Sequence, residues 1–566
     1  MAPQWRPVPS SIEESAGGAI LITVIFLKQY RIRKDERRCV ELKHISEFEK
    51  ATKKGRGELF RLGMALLFII GVMLYTLVRG EANGSMYVVV AAMLGGYMAL
   101  NIGANDVANN VGPAVGSKAL TLGGALVLAA IFEAAGAIIA GGEVVGTIRN
   151  GIIDPAKIAD AETFVWVMMA ALLAAAIWLN IATAVGAPVS TTHSIVGAVL
   201  GAGIASSGLG IANWPMVATI VMSWVISPLM GGVVAAAFLY LIKRSITYQA
   251  DLAVAACRVV PYLVAFMAWT FMAYILIKGV SKLVTVGGFA AAVSGFVFAL
   301  AVFYFVRSLL TRQAKTFENS KQGVNRLFTI PLIFAAALLS FAHGSNDVSN
   351  AVGPLAAIVE VVSQGSSEIA ANAPIPAWVM WVGALGIVIG LGLFGPRLIR
   401  TIGSEITELD QMRAYCIAMS ATITVIIASQ FGLPVSTTHV AVGAVFGVGF
   451  LRERLKSNYA RMLQDIKDHH PEGDQESIAI FLAGFNKASI EGKGRMLAEL
   501  KQRAKRQLDT AHFSKLERKG LKQVYRQELV KRSQLLRIAA AWVVTVPASA
   551  LMAALLFFTI KGMLIG

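Results

Sequence analysis

The sequence predicts an all-α polytopic membrane protein, built as two inverted-topology repeats with broken or re-entrant helices at the midplane and about 12–13 membrane segments. Three observations carry this prediction. The 566 residues are 56% hydrophobic and 15% charged, against about 25% charged in soluble domains. Two long motifs each occur twice, at offsets of 241 and 246 residues. Basic residues gather in a few stretches that give the two halves opposite orientations. Composition alone excludes a secreted enzyme, a nucleic-acid factor and a single-anchor receptor, so membrane lipid is the expected surrounding and no nucleic-acid partner is expected.

Residues 1–61 form a basic cytoplasmic extension. Its one apolar run, Ala16 to Leu27, is too short for a span, lacks a cleavage site and reads as interfacial. An extra membrane helix follows over 62–85. The first repeat covers 86–242, with apolar runs at 86–115, 120–141, 162–187, 188–208 and 214–242. Connecting helices occupy 243–327. The second repeat covers 328–450, a basic cytoplasmic loop 451–537, and the last membrane helix 538–566. Cys39, Cys257 and Cys416 are too few and scattered for a disulfide framework or metal site and read as structural.

The orientation follows from charge. Residues 28–61 carry 12 Lys/Arg and 6 Asp/Glu, and 452–537 carry 20 and 11, which together account for 15 of the formal +17. Shorter basic loops hold Lys243, Arg244 and Arg258, then Arg307, Arg312, Lys315, Lys321 and Arg326. The positive-inside rule places all four in the cytoplasm. The first repeat then begins outside and the second inside, which is the inverted construction of many secondary transporters. Parity leaves open whether the two Pro-interrupted segments cross the membrane or re-enter it.

The motifs explain why polar residues sit at membrane depth. Gly103 to Pro113 reads GANDVANNVGP and Gly344 to Pro354 reads GSNDVSNAVGP, identical at 8 of 11 positions. An intramembrane aspartate is costly and marks a functional site. Asn105, Asp106 and Asn109, with Asn346, Asp347 and Asn350, place carboxylate and amide oxygens on one helix face at i, i+3 and i, i+4 spacing. Such hard oxygens suit a small cation or a proton. The flanking Gly103, Gly112, Gly344 and Gly353, with Pro113 and Pro354, are expected to let the backbone unwind and free further carbonyls.

Gly186 to Gly201 reads GAPVSTTHSIVGAVLG and Gly432 to Gly447 reads GLPVSTTHVAVGAVFG, identical at 12 of 16 positions. Pro188 and Pro434 stop a preceding helix. Ser190, Thr191 and Thr192, and equally Ser436, Thr437 and Thr438, cap the next and surround its positive end with hydroxyls. Two such ends converging from inverted halves form a cage for a polyvalent oxyanion. His193 and His439 read as packing donors. Glu133 has no counterpart in the other repeat and is expected to be accommodated by protonation.

The duplicated GANDVANN and GSNDVSNA motifs, the twin PVSTTH motifs and the run VMSWVISP (Val221 to Pro228) resemble the inorganic phosphate transporter (PiT) family. The resemblance covers about residues 86 to 450 and the last helix. It implies symport of inorganic phosphate across the plasma membrane, or the inner membrane in a bacterium, by alternating access, in a protein often dimeric and here expected as a homodimer. It places the coupling cation on Asn105, Asp106, Asn109, Asn346, Asp347 and Asn350. Phosphate falls on Ser190, Thr191, Thr192, Ser436, Thr437 and Thr438. The Asn-Asp form resembles the sodium-coupled branch, which favours Na+ over H+. Asn110 and Ser349 depart from the family, which usually has Ala there. The alternatives are a proton-coupled phosphate or sulfate permease and, from another class, a phosphate sensor with the loop 451–537 as its output. No nucleophile, base and oxyanion arrangement points to an enzyme.

Overall fold

The computed structural model describes residues 56–80, 85–185, 189–279, 284, 286–313, 318–364, 374–405, 409–468 and 532–565, together with Ile480, Gly484, Met496 and Glu499. The expected N-terminal extension up to residue 55, most of the basic loop, Cys39 and Pro188 lie outside the described residues. The chain divides into two compact units, 1–66 and 67–566. Of the first, only the opening turns of a helix are described, α1 (Arg56–Arg79). That helix starts before the expected residue 62, because Arg56, Glu58 and Arg61 extend it as a charged turn ahead of the apolar run. All that follows concerns the second unit.

Among the described residues the protein is helical, with one isolated backbone bridge between Ile153 and Ala212. Among the described residues, and with α1 included, eleven helices are long and apolar enough to cross a membrane. The first half contributes α2 (Met86–Gly116), α3 (Leu122–Ala140), α4 (Ala161–Val185), α5 (Thr191–Ser207) and α6 (Trp214–Ile242). Two connecting helices follow, α7 (Leu252–Lys278) and α8 (Gly288–Gln313), and then the short α9 (Lys321–Leu327). The second half contributes α10 (Thr329–Asp347), α11 (Ser349–Gln364), α12 (Ala377–Glu405), α13 (Gln411–Gln430) and α14 (Thr437–Asp468). The last helix is α15 (Arg532–Ile565).

The segments interrupted by PVSTTH form helical hairpins. Helix α4 packs on α5 and α13 on α14. The chain entering α4 is tied to the chain leaving α5 by Asp154 N–H to the Ile211 carbonyl at 2.9 Å and Asn213 N–H to the Ile152 carbonyl at 3.0 Å. At the other hairpin, Asp410 and Arg413 before and in α13 share a cavity wall with Arg452 of α14. Each hairpin therefore returns to the end it came from. The tips meet: Thr192 Oγ1 donates to the Val435 carbonyl at 3.2 Å.

Glycines set how closely the helices approach. The GxxxG pair of α5, Gly197 and Gly201, faces Val546, Ser549 and Ala550 of α15. The matching pair of α14, Gly443 and Gly447, faces Pro228 and Gly232 of α6. A side chain at any of these positions would meet the partner helix, so the small surface permits backbone contact, the device membrane helices use where lipid offers no hydrophobic driving force. Helix α15 thus stands to the first hairpin as α6 stands to the second. The last helix is the structural counterpart of α6, and the long basic loop is an insertion ahead of it.

The unwinding expected at both Asn-Asp motifs is absent from the first and reduced to a single residue in the second. Helix α2 runs unbroken from Met86 through Asn105, Asp106 and Pro113 to Gly116, and the second motif is interrupted only at Val348. The glycines serve packing: a Cβ at Gly103 would strike the Ile387 carbonyl of α12, and one at Gly344 the Glu133 carbonyl of α3. Keeping α2 whole satisfies backbone groups that the apolar surroundings would leave costly.

Candidate functional site

Asp106 of α2 and Asp347 of α10 come from different halves and are 1% and 0% exposed. The helical spacing holds their carboxylates on the faces turned to the hairpin tips, and there the threonines meet them. Thr438 Oγ1 donates to Asp106 Oδ1 at 2.8 Å. The same hydroxyl receives Asn109 Nδ2 at 2.8 Å. Thr437 Oγ1 donates to Asp347 Oδ2 at 2.9 Å. Asn350 Nδ2 reaches Thr191 Oγ1 at 3.3 Å and Thr192 Oγ1 at 3.2 Å. By motif position, Asn109 with Thr438 and Asn350 with Thr192 are one contact made twice, each joining the Asn-Asp helix of one half to the hairpin of the other.

Ser190 and Ser436 cap the half-helices. Ser190 Oγ accepts the His193 N–H at 3.1 Å, and Ser436 Oγ accepts the His439 N–H at 3.2 Å. Both hairpins therefore present the positive end of a helix beside the threonine hydroxyls. Asn346 Nδ2 donates to Ser429 Oγ at 2.9 Å and to the Leu433 carbonyl at 3.2 Å. Its counterpart Asn105 is also buried, but its side-chain nitrogen has no hydrogen-bond partner among the described residues. All twelve expected site residues thus lie buried around the two hairpin tips.

Four buried side-chain oxygens here lack hydrogen-bond partners among the described residues: Asp106 Oδ2, Asp347 Oδ1, Asn346 Oδ1 and Asn350 Oδ1. Buried polar atoms of folded proteins are nearly always satisfied, and a set of oxygens without donors is the chemistry of a hard cation. The hydroxyls and helix ends beside them are the chemistry of a tetrahedral oxyanion.

Three features lie outside the sequence expectations. His343 stands between three carboxylates: Nε2 lies 2.9 Å from Asp347 Oδ2 and 3.9 Å from Asp106 Oδ2, and Nδ1 lies 3.2 Å from Glu133 Oε1. Glu133 also accepts from Asn110 Nδ2 at 2.8 Å, so it and the departure at Asn110 have partners in each other. His343 sits four residues before Asp347, a spacing that could have found it. Its counterpart in the first half is Ile102, however, so comparison of the shared motifs passes it over. Third, a row of rings in contact crosses the tips. Trp224 lies 3.7 Å from His193, His193 lies 4.4 Å from His439, and His439 lies 3.6 Å from Trp542, centroid to centroid. The two histidines are the central members of this row, and His193 is stacked on Trp224.

Residues 102–553 match the phosphate transporter family. The chain belongs to that family. It is 52% identical over 524 residues to a protein of Helicobacter pylori (strain J99) named "Putative phosphate permease", covering 92% of this chain and 98% of that one. A Pyrococcus horikoshii protein of the same description is 38% identical over 369 residues, covering 65% of this chain and 89% of its own length. A solved structure described as the sodium-dependent phosphate transporter superposes with a TM-score of 0.68 at 29% identity, covering 84% of this chain and 99% of that one. This member of the phosphate transporter family is therefore a multi-pass membrane transporter and not an enzyme. The matched region spans both Asn-Asp motifs and both hairpins.

Proposed function

We propose that the chain is a secondary active transporter that carries inorganic phosphate inward with sodium by alternating access. One observation carries the coupling: the hydroxyls suited to an oxyanion, Thr437 and Thr438, donate instead to the aspartates suited to a cation. A hydroxyl has one proton to donate. Sodium seated on the carboxylate takes over its charge and releases that proton to a phosphate oxygen, so the cation prepares the anion site. Without the cation, a phosphate dianion would meet two buried carboxylates, at the several-kcal/mol cost of unpaired charge at membrane depth. The sodium-dependent neighbour and the Asn-Asp form of both motifs support Na+ over H+.

In this reading Asn105, Asp106, Asn109, Asn346, Asp347 and Asn350 bind the cations. Ser190, Thr191, Thr192, Ser436, Thr437 and Thr438 bind phosphate. One net positive charge moved inward gains about 2.3 kcal/mol per 100 mV, enough for roughly 50-fold accumulation. A homodimer in the plasma membrane, or inner membrane in a bacterium, completes the reading on the strength of the family resemblance.

The deciding experiment is uptake of labelled phosphate by proteoliposomes of the purified protein, with an imposed Na+ gradient compared with an imposed H+ gradient. Accumulation driven by Na+ alone is expected. Accumulation driven by H+ alone overturns the coupling ion, and no accumulation under either gradient overturns the transport cycle. Sulfate and arsenate as competitors test the anion: arsenate should compete and sulfate should not, because the carboxylates accept the proton that phosphate carries and sulfate lacks.

A further inference from the structure

Away from the residues described above, the ends of α6, α9 and α13 and the flank of α14 line a polar cavity of about 80 Å³. Lys243 at the end of α6, Lys321 of α9, Arg413 of α13 and Arg452 of α14 line it, with Asn325 and a single carboxylate, Asp410. The acid is engaged with its own helix. Asp410 Oδ1 accepts the Arg413 N–H at 2.9 Å as the cap of α13, and Oδ2 pairs with Arg413 Nη2 at 2.9 Å. Arg452, midway along α14, is 9% exposed, so its guanidinium is directed into the protein where a long charged side chain ordinarily reaches for water.

We propose that this cavity binds a phosphoryl group. Four basic side chains reach it from four different helices, and two of them are guanidinium groups, the donor type that matches the oxygens of a phosphate, Arg413 with one nitrogen already paired to Asp410. Two ammonium groups complete the set as point charges, and Asn325 supplies a neutral side-chain amide. A monocarboxylate has too few oxygens to engage donors arriving from so many directions. The positive-inside rule assigns this end to the cytoplasm, where two sources of the group meet it: free phosphate and the headgroups of anionic lipids.

Occupancy ties the open end of the α13–α14 hairpin to α6 and α9. The tip of that hairpin carries Thr437 and Thr438, so a ligand bound here holds the element that reaches Asp106 and Asp347. The site is separate from the midplane residues, and its existence does not rest on the transport reading.

The test is thermal unfolding of the purified full chain in uncharged detergent, for the unsubstituted protein, Lys321→Gln, and Lys321→Gln with Arg452→Gln. Each is titrated with inorganic phosphate and with dihexanoyl phosphatidic acid, both as potassium salts, and with potassium chloride at matched ionic strength. Unfolding without ligand is recorded for every chain, and the single Lys321 variant stands in if the double variant does not fold. The expected result is stabilisation by at least one phosphoryl ligand, with the variants needing roughly tenfold more of it. A difference confined to phosphatidic acid assigns the lipid headgroup, and one confined to phosphate assigns the free anion. Equal responses of all chains to both ligands overturn the proposal, even where phosphate stabilises every chain, since the midplane site alone predicts that. A response reproduced by chloride, or none at all, overturns it as well.

Discussion

Replacing Gly447 with alanine puts a methyl group on the face of α14 that meets α6. Its three nearest neighbours would all be backbone atoms of Gly232, inside contact distance. No rotamer relieves an overlap with backbone, so the helices must part by about 1 Å to regain the 3.5–4.0 Å separation of non-bonded carbons. Overpacking of this kind costs about 1–3 kcal/mol, and the rigid neighbour puts Gly447→Ala near the top of that range. The functional loss should be larger. Helix α14 begins with Thr437 and Thr438, whose hydrogen bonds to Asp347 and Asp106 are 2.9 and 2.8 Å long, and misplacement by about 1 Å can lower a rate by roughly 100-fold. The measurements are thermal unfolding in detergent and sodium-driven phosphate uptake in proteoliposomes. Gly392→Ala of α12 is the control, because nothing lies within 4 Å of the added methyl and such a change stabilises a helix by about 0.4–1 kcal/mol. If Gly447→Ala unfolds with the unsubstituted protein and keeps its uptake, the close-contact argument is wrong.

Asp106→Asn and Asp347→Asn should each abolish sodium-dependent uptake while the protein still elutes as a folded species; uptake surviving both changes would falsify the cation assignment. Thr438→Val removes the hydroxyl shared by Asn109 and Asp106, and uptake at limiting phosphate should fall roughly tenfold for each hydrogen bond lost, with Thr438→Ser restoring it. His343→Ala strips Glu133 and Asp347 of their common partner, which should lower unfolding stability by about 3–5 kcal/mol. Adding Glu133→Gln should recover part of that loss in a double-mutant cycle, and a strictly additive loss would show that the two residues do not interact.

Much of the site was legible because its chemistry is written locally. The twin motifs put amide and carboxylate side chains and runs of hydroxyls in apolar surroundings, and each needed a reason to be there. The proline and serine of PVSTTH announced a helix stop and a cap, and Ser190 and Ser436 do cap the following helices. The same local logic failed at the glycines. Gly103 and Gly344 read as points of unwinding and are points of close approach, which only the neighbour across the interface reveals. His343 was passed over for a related reason: a repeat advertises what it shares, and this histidine belongs to one half alone.

The sequence by itself determined that this is a polytopic membrane protein, that its two halves share an origin, and which residue types gather at membrane depth. These follow from composition and from recurrence along the chain, which need no knowledge of what touches what. Only the tertiary structure decided that the interrupted segments are hairpins, that α15 is the partner of the first hairpin, and that each motif is completed by the opposite half. Asn109 meets Thr438 across 329 positions of sequence. Pairing at that distance is set by how the two halves interlock, through glycine faces that let backbones touch, and no stretch of the chain carries a local sign of it.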